Sequence, residues 1–278
     1  AFLHLESPET PMHVGGLSIM ELPADYSGDF MGDVRTHIQN RMHMAPIFQR
    51  KLINMPFDIA NPIWVMDEAI DIDYHIRHVI VPPPATRATV DRLVARLHSS
   101  LLDRSRPLWE MHILDGLPVP DDLPKGTRYV GLYSKMHHAA LDGMGGQVLM
   151  EAIMDVTAVP RAPKKKMRRR EPARGDNYGI AELTASGVMH NVSQSIKLTK
   201  NLRPFIIKVF DILKPSKEPD GSDSGRMNWL APKTPLSAVI TNQRSFARFS
   251  IPYAETKKIA KLNNVSLNDV VMAISGEG

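Results

Sequence analysis

The chain contains no cysteine, which excludes a disulfide framework, a thiolate nucleophile and a thiolate metal site. No stretch approaches the roughly 20 consecutive apolar residues that span a bilayer. The opening Ala1-Phe2-Leu3-His4-Leu5-Glu6 lacks a basic region leading into an apolar one, so neither a membrane-spanning helix nor a signal peptide is expected. No internal repeat of fixed period stands out, which argues against solenoids and propellers. Gly143-Met144-Gly145-Gly146 has no Gly-Lys-Ser/Thr and no Gly-x-Gly-x-x-Gly, so a nucleotide loop is not expected there. A reducing compartment, cytoplasm by default, fits these absences.

What is present suits a globular enzyme. At 278 residues, 43% hydrophobic and 23% charged, the chain can bury one large core or two modest ones. The net charge of +4 has a local source, because Arg161, Lys164, Lys165, Lys166, Arg168, Arg169 and Arg170 crowd into ten residues and the rest is slightly acidic. No nucleic-acid partner is expected. The run reads either as a solvated, mobile linker or as a patch for acidic lipid head groups or phosphates.

The pattern along the chain is mixed α/β. Val14 to Leu22 reads as a strand entered through the turn residues Pro11 and Gly15-Gly16, and Phe30 to Arg41 as a short helix. Between Thr89 and Leu102, Val90, Leu93, Val94, Leu97 and Leu101 keep the spacing of an amphipathic helix that should cover a sheet. Leu108 to Leu114, closed by Asp115-Gly116, and Tyr129 to Met136 supply strands. A glycine-rich turn then leads into a helix with Leu149, Ala152, Ile153 and Val156 on one face. Farther on, Val188, Val192, Ile196, Leu202, Phe205, Ile206, Val209, Phe210 and Leu213 form an apolar stripe interrupted at Pro204, read as a helix packed on the core or as an element lying on a lipid surface. Arg244 to Ile251 reads as a strand and Ala254 to Leu262 as a helix. A last helix starts at Ser266, boxed by Asp269.

Chemistry concentrates at His137-His138-Ala139-Ala140-Leu141-Asp142-Gly143. An imidazole can take the proton of a hydroxyl near neutral pH, sharpening its attack on an activated carbonyl, and can return it to the leaving group. Two other readings compete: a metal site built from the histidines and Asp142, and core histidines satisfied by hydrogen bonds. Neighbouring side chains on an extended backbone point to opposite faces, which makes joint ligation by His137 and His138 awkward.

The motifs also form an ordered set: Pro11-Met12-His13-Val14-Gly15-Gly16, Leu101-Leu102-Asp103-Arg104, Pro107-Leu108-Trp109-Glu110, the histidine run, and Asn268-Asp269. Together they resemble the bacterial wax ester synthase/diacylglycerol acyltransferases, in the superfamily of chloramphenicol acetyltransferase and the peptide-synthetase condensation domains. The resemblance implies an α/β, chloramphenicol-acetyltransferase-like domain of sheet and helices over residues 1–160, a basic linker and amphipathic crossover over 161–240, and the start of a second similar domain over 241–278. It implies acyl transfer from acyl-CoA, as substrate and with no cofactor or metal, to a fatty alcohol or diacylglycerol, with no covalent intermediate. His138 would be the general base and His137 its neighbour in the tunnel, with Asp142 fixing the loop. Asn268 would help hold the oxyanion, where a helix N-terminus favours negative charge; a plain capping role for it is the alternative. Gly143 and Asp269 would contact substrate, and Trp109 would pack. The partners implied are the C-terminal half of the same protein, expected to follow Gly278, and the inner membrane or a lipid inclusion as a peripheral surface. A carrier-protein thioester enzyme and a membrane-docking protein with an idle site are the alternatives.

Overall fold

The computed structural model describes residues 2–54, 61–119, 127–141, 145–155, 157, 159–161 and 240–277. They fall into two compact units, Ala1–Arg244 and Ser245–Gly278. In the first, the order is α1 (Phe2–Leu5), β1 (His13–Glu21), α2 (Phe30–Arg41), β2 (Arg50–Ile53), β3 (Ile63–Met66), α3 (Ile72–His75), β4 (Ile76–Ile80), α4 (Arg87–Ser99), β5 (Trp109–Asp115), β6 (Tyr129–His137) and α5 (Gly145–Ile153). The main sheet runs β1-β6-β5-β4, with β4 parallel to β5 and the other pairs antiparallel, and β2-β3 form a separate ribbon.

Local chemistry sets the helix starts. The Asp29 carboxylate accepts from the Met31 N–H at the head of α2, and the Thr86 hydroxyl accepts from the Thr89 N–H at the head of α4, each at 3.2 Å. The buried residues Val90, Leu93 and Val94 are the expected stripe of α4. The helix ends at Ser99, so Leu101 lies beyond it and is exposed.

The two faces of the sheet differ in kind. One packs Trp109, Met111 and Ile113 of β5 and Leu132 and Met136 of β6 against Ile38 of α2 and Leu149, Ala152 and Ile153 of α5. Burying each large side chain contributes roughly 1.5–3 kcal/mol. Trp109 is fully enclosed, its Nε1 donating to the Phe48 carbonyl at 3.3 Å, which is a packing role. The opposite face, beneath α4, is polar yet buried: Glu110, His112, Tyr133, Lys135, His137 and His13. Lys135 Nζ donates to the carbonyls of Leu97 at 3.0 Å and Ser100 at 2.8 Å, closing the negative end of α4, and lies 3.5 Å from the Glu110 carboxylate. His112 Nε2 donates to Glu110 at 3.3 Å.

The structure corrects several expectations. Gly15 and Gly16 lie within the β1 ladder, opposite Lys135 and Ser134, and not in a turn. A Cβ on Gly15 would come 2.5 Å from Tyr133 Oη, so close approach is what requires glycine there. Gly116, at φ +76°, does mark the turn after β5. Arg244 to Ile251 is not a strand: among the described residues it has no ladder partner, and an extended segment becomes a strand only when its N–H and C=O groups are paired.

The second unit holds α6 (Tyr253–Leu262) and α7 (Leu267–Glu277). The expected box forms, the Ser266 hydroxyl accepting from the Asp269 N–H at 3.2 Å while the Asp269 carboxylate accepts from the Ser266 N–H at 2.8 Å. The expected boundaries at 160 and 240 flank residues 162–239, so the remainder of the basic run after Arg161 and the stripe from Val188 to Leu213 lie outside the described residues.

Candidate active site

Strand β6 delivers the histidine pair to the end of the sheet. The His137 N–H donates to the Leu108 carbonyl at 3.0 Å and the His138 N–H to the Met12 carbonyl at 2.8 Å, so two of the sequence motifs grip consecutive amides. The chain then turns, the Ala140 N–H reaching the His137 carbonyl at 3.0 Å and the Leu141 N–H the His138 carbonyl at 3.3 Å. As pleating requires, the two side chains part: His137 is fully buried on the polar face and His138 is exposed.

His137 is hydrogen-bonded through one ring nitrogen and faces a carboxylate with the other. Nδ1 accepts the Ala139 N–H at 2.9 Å, which assigns the proton of the neutral ring to Nε2, and Nε2 lies 3.2 Å from Glu6 Oε1. Burial pushes its pKa below the usual imidazole value, and the Glu6 carboxylate offsets this only in part. His137 is therefore a neutral ring near pH 7 with no lone pair free for a metal. Among the described residues no group of three or more His, Cys, Asp or Glu is placed to hold one.

Glu6, which carries no local signal in the sequence, is the hub of the site. Its carboxylate takes two hydrogen bonds from Arg104, at 3.1 and 2.8 Å, and one from the Met12 N–H at 3.2 Å. Burial alone would raise its pKa, but Arg104, the Met12 N–H and His137 together hold it below the ordinary carboxylate range. Arg104 also donates to the Leu3 carbonyl at 2.7 Å. Three motifs distant in sequence thus meet on one buried carboxylate.

Behind this hub, His13 Nε2 donates to the His98 carbonyl at 2.7 Å, and His98 Nδ1 meets Tyr133 Oη at 2.7 Å. Burial pushes His13 down to about 4. The exposed His138 ring is flanked by Phe2, stacked at 5.0 Å between centroids and 15° between planes.

The remaining candidates are placed differently. Asp142 and Gly143 lie outside the described residues. Asn268 and Asp269 belong to the second unit, in the exposed first turn of α7. Ser266 holds the capping position, so Asn268 is not the cap. The Asp269 carboxylate is spent on Ser266, whose hydrogen bonds lower its pKa. The structure therefore brings His137 and His138 together with the Pro11–Gly16, Leu101–Arg104 and Pro107–Glu110 motifs, and leaves the Asn-Asp pair in a separate unit.

Comparison with known proteins gives the family. The model of the wax ester synthase/diacylglycerol acyltransferase catalytic domain fits residues 1–271. An O-acyltransferase of Acinetobacter baylyi is 32% identical across 98% of this chain and 56% of its own length. A putative diacylglycerol O-acyltransferase of Mycobacterium bovis is 31% identical across 99% of this chain and 52% of its own. The solved wax ester synthase/diacylglycerol acyltransferase from Marinobacter aquaeolei VT8 shares the fold, with a TM-score of 0.59 at 24% identity over 99% of this chain and 56% of that one. The chain spans about half the length of the curated relatives it matches. It belongs to the wax ester synthase/diacylglycerol acyltransferase family.

Proposed function

We propose that this chain is the histidine-bearing part of an O-acyltransferase that moves a long-chain acyl group from acyl-CoA to the hydroxyl of a fatty alcohol or a diacylglycerol. The observation that carries this is the division of labour in the pair: His137 is locked and neutral, and His138 stands exposed on a backbone pinned by Met12 and Leu108.

In the reaction, the acceptor O–H gives its proton to the His138 imidazole as its oxygen attacks the thioester carbonyl carbon. The carbonyl π-electrons move to oxygen, giving a tetrahedral oxyanion. Its collapse breaks the C–S bond, and the departing thiolate takes the proton back from His138, leaving an ester and CoA thiol. No covalent enzyme intermediate and no cofactor are required. Asn268, an amide donor on the first turn of a helix, is the residue assigned to the oxyanion, with Gly143 and Asp269 at the substrate. His137 holds the turn, and fixing the loop is the role assigned to Asp142. The C-terminal half supplies the rest of the tunnel.

The products are insoluble in water, and the basic run from Arg161 to Arg170 supplies charge for an anionic surface, so the protein is placed in the cytoplasm, against the inner membrane or a lipid inclusion. No helix among the described residues is long and apolar enough to cross a membrane. The test is CoA release by the full-length protein from palmitoyl-CoA, with hexadecanol or a diacylglycerol as acceptor. Release that ignores both acceptors would reject the assignment.

A further inference from the structure

We propose that Phe2 is a positioning residue for the general base, fixing the orientation of the His138 imidazole by stacking on one of its faces. This rests on the assignment of His138 as base.

An exposed imidazole turns about two side-chain bonds, and a base that samples several directions rarely meets the hydroxyl it must deprotonate. Here one face of the ring is taken. The Phe2 ring lies 5.0 Å from it, tilted by only 15°. A near-parallel ring restricts rotation of the imidazole and leaves its edge, where the nitrogens are, open. Charge developing on the imidazole as it accepts the proton then lies over the negative face of the phenyl ring.

Phe2 is not held there by chance contact. Its helix is anchored at the next residue, where the Leu3 carbonyl accepts from Arg104 at 2.7 Å and the Leu3 side chain packs against the buried cluster of Leu52, Leu102 and Leu108, on which Ala140 also packs. Ala140 belongs to the turn that carries His138. Within the same segment, the Glu6 N–H donates to the Phe2 carbonyl at 3.1 Å, and the Glu6 carboxylate engages His137. The segment from Phe2 to Glu6 is thus a clip across the turn, touching both histidines. Phe2 remains 43% exposed.

The experiment uses the full-length protein as wild type, Phe2→Leu, Phe2→Tyr and His138→Ala. His138→Ala serves to identify the His138 ring protons in the NMR spectrum. The stacked phenyl ring should shift those protons upfield, and Phe2→Leu should remove the shift. Phe2→Leu should lower kcat about 2- to 12-fold with little change in the KM for the alcohol, and Phe2→Tyr should retain both kcat and the upfield shift. Thermal unfolding of Phe2→Leu should stay close to wild type. Unchanged His138 ring signals or unchanged kcat in Phe2→Leu would overturn the proposal, as would a Phe2→Tyr variant as slow as Phe2→Leu. A fully active His138→Ala overturns it by a different route, through the base assignment, while the ring signals still report the contact.

Discussion

Glu6 Oε1 lies 3.2 Å from His137 Nε2, both side chains being withdrawn from solvent, and this contact ties the N-terminal segment to the histidine turn. Arg104 and the Met12 N–H complete the shell of the carboxylate, so the geometry of the turn depends on a charge placed well before it in the chain.

Replacing Glu6 by Gln keeps the size and removes the charge. The expected cost is about 1–3 kcal/mol at pH 7, with a fall in kcat as the turn loosens. Because the folded pKa lies below the unfolded value of 4.5, the stabilisation is present above that value and is lost as pH falls through the folded pKa. Urea unfolding of the two proteins at pH 7 and again near pH 3 checks this. The gap between them should narrow in acid, and a gap that widens would contradict the assigned charge.

The adjacent glycines of β1 should behave unlike each other. Gly15→Ala would place a methyl group 2.5 Å from Tyr133 Oη and 3.1 Å from His98 Nδ1, disrupting their 2.7 Å hydrogen bond inside a closed layer. A loss of about 1–3 kcal/mol is expected. Gly16→Ala meets nothing within 4 Å and should be near neutral. Thermal unfolding of both variants decides it, and equal effects would contradict the close-approach argument.

These features mark where the sequence was legible and where it was not. Helices α2 and α4 announce themselves through a polar cap followed by apolar spacing, and β6 through its continuous run from Tyr129 to Met136. The histidine turn is legible because its residues are neighbours. Strand β4, Ile-Arg-His-Val-Ile, carries too weak an alternation, and its parallel pairing with β5 is made only across α4. Glu6 gives no local signal at all, since its meaning comes from Arg104, 98 residues away. The polar layer under α4 is equally silent: alternation along β5 separates Glu110 and His112 from Trp109 and Met111 without indicating that both faces are buried.

That layer predicts a severe response at Lys135. Its ammonium is fully buried, closes the end of α4 and faces Glu110, whose carboxyl burial works to raise but His112, Lys135 and Arg77 hold at about 2. Lys135→Met removes one partner and leaves the Glu110 charge with poorer compensation, which should cost about 3–5 kcal/mol. Lys135→Met with Glu110→Gln should recover part of it. A double variant no more stable than the single one would contradict the coupling.

His13 predicts a pH dependence of its own. The folded ring titrates at about 4 and the unfolded one near 6.5, so between these values the unfolded state binds more protons and stability falls as pH falls. The contribution reaches up to about 3 kcal/mol. His13→Gln retains a donor for the His98 carbonyl and cannot be protonated, so its stability should decline less over that range. Parallel slopes for the two proteins in chemical unfolding would count against the buried neutral ring.

His138 is the proton acceptor on which the proposed reaction depends. The most direct measurement is the rate of CoA thiol release from palmitoyl-CoA and hexadecanol by full-length wild type, His138→Ala and His137→Gln, each first shown to be folded. Loss of at least about 100-fold in kcat for His138→Ala, with a smaller loss for His137→Gln, is the predicted result. Undiminished release by His138→Ala would contradict it.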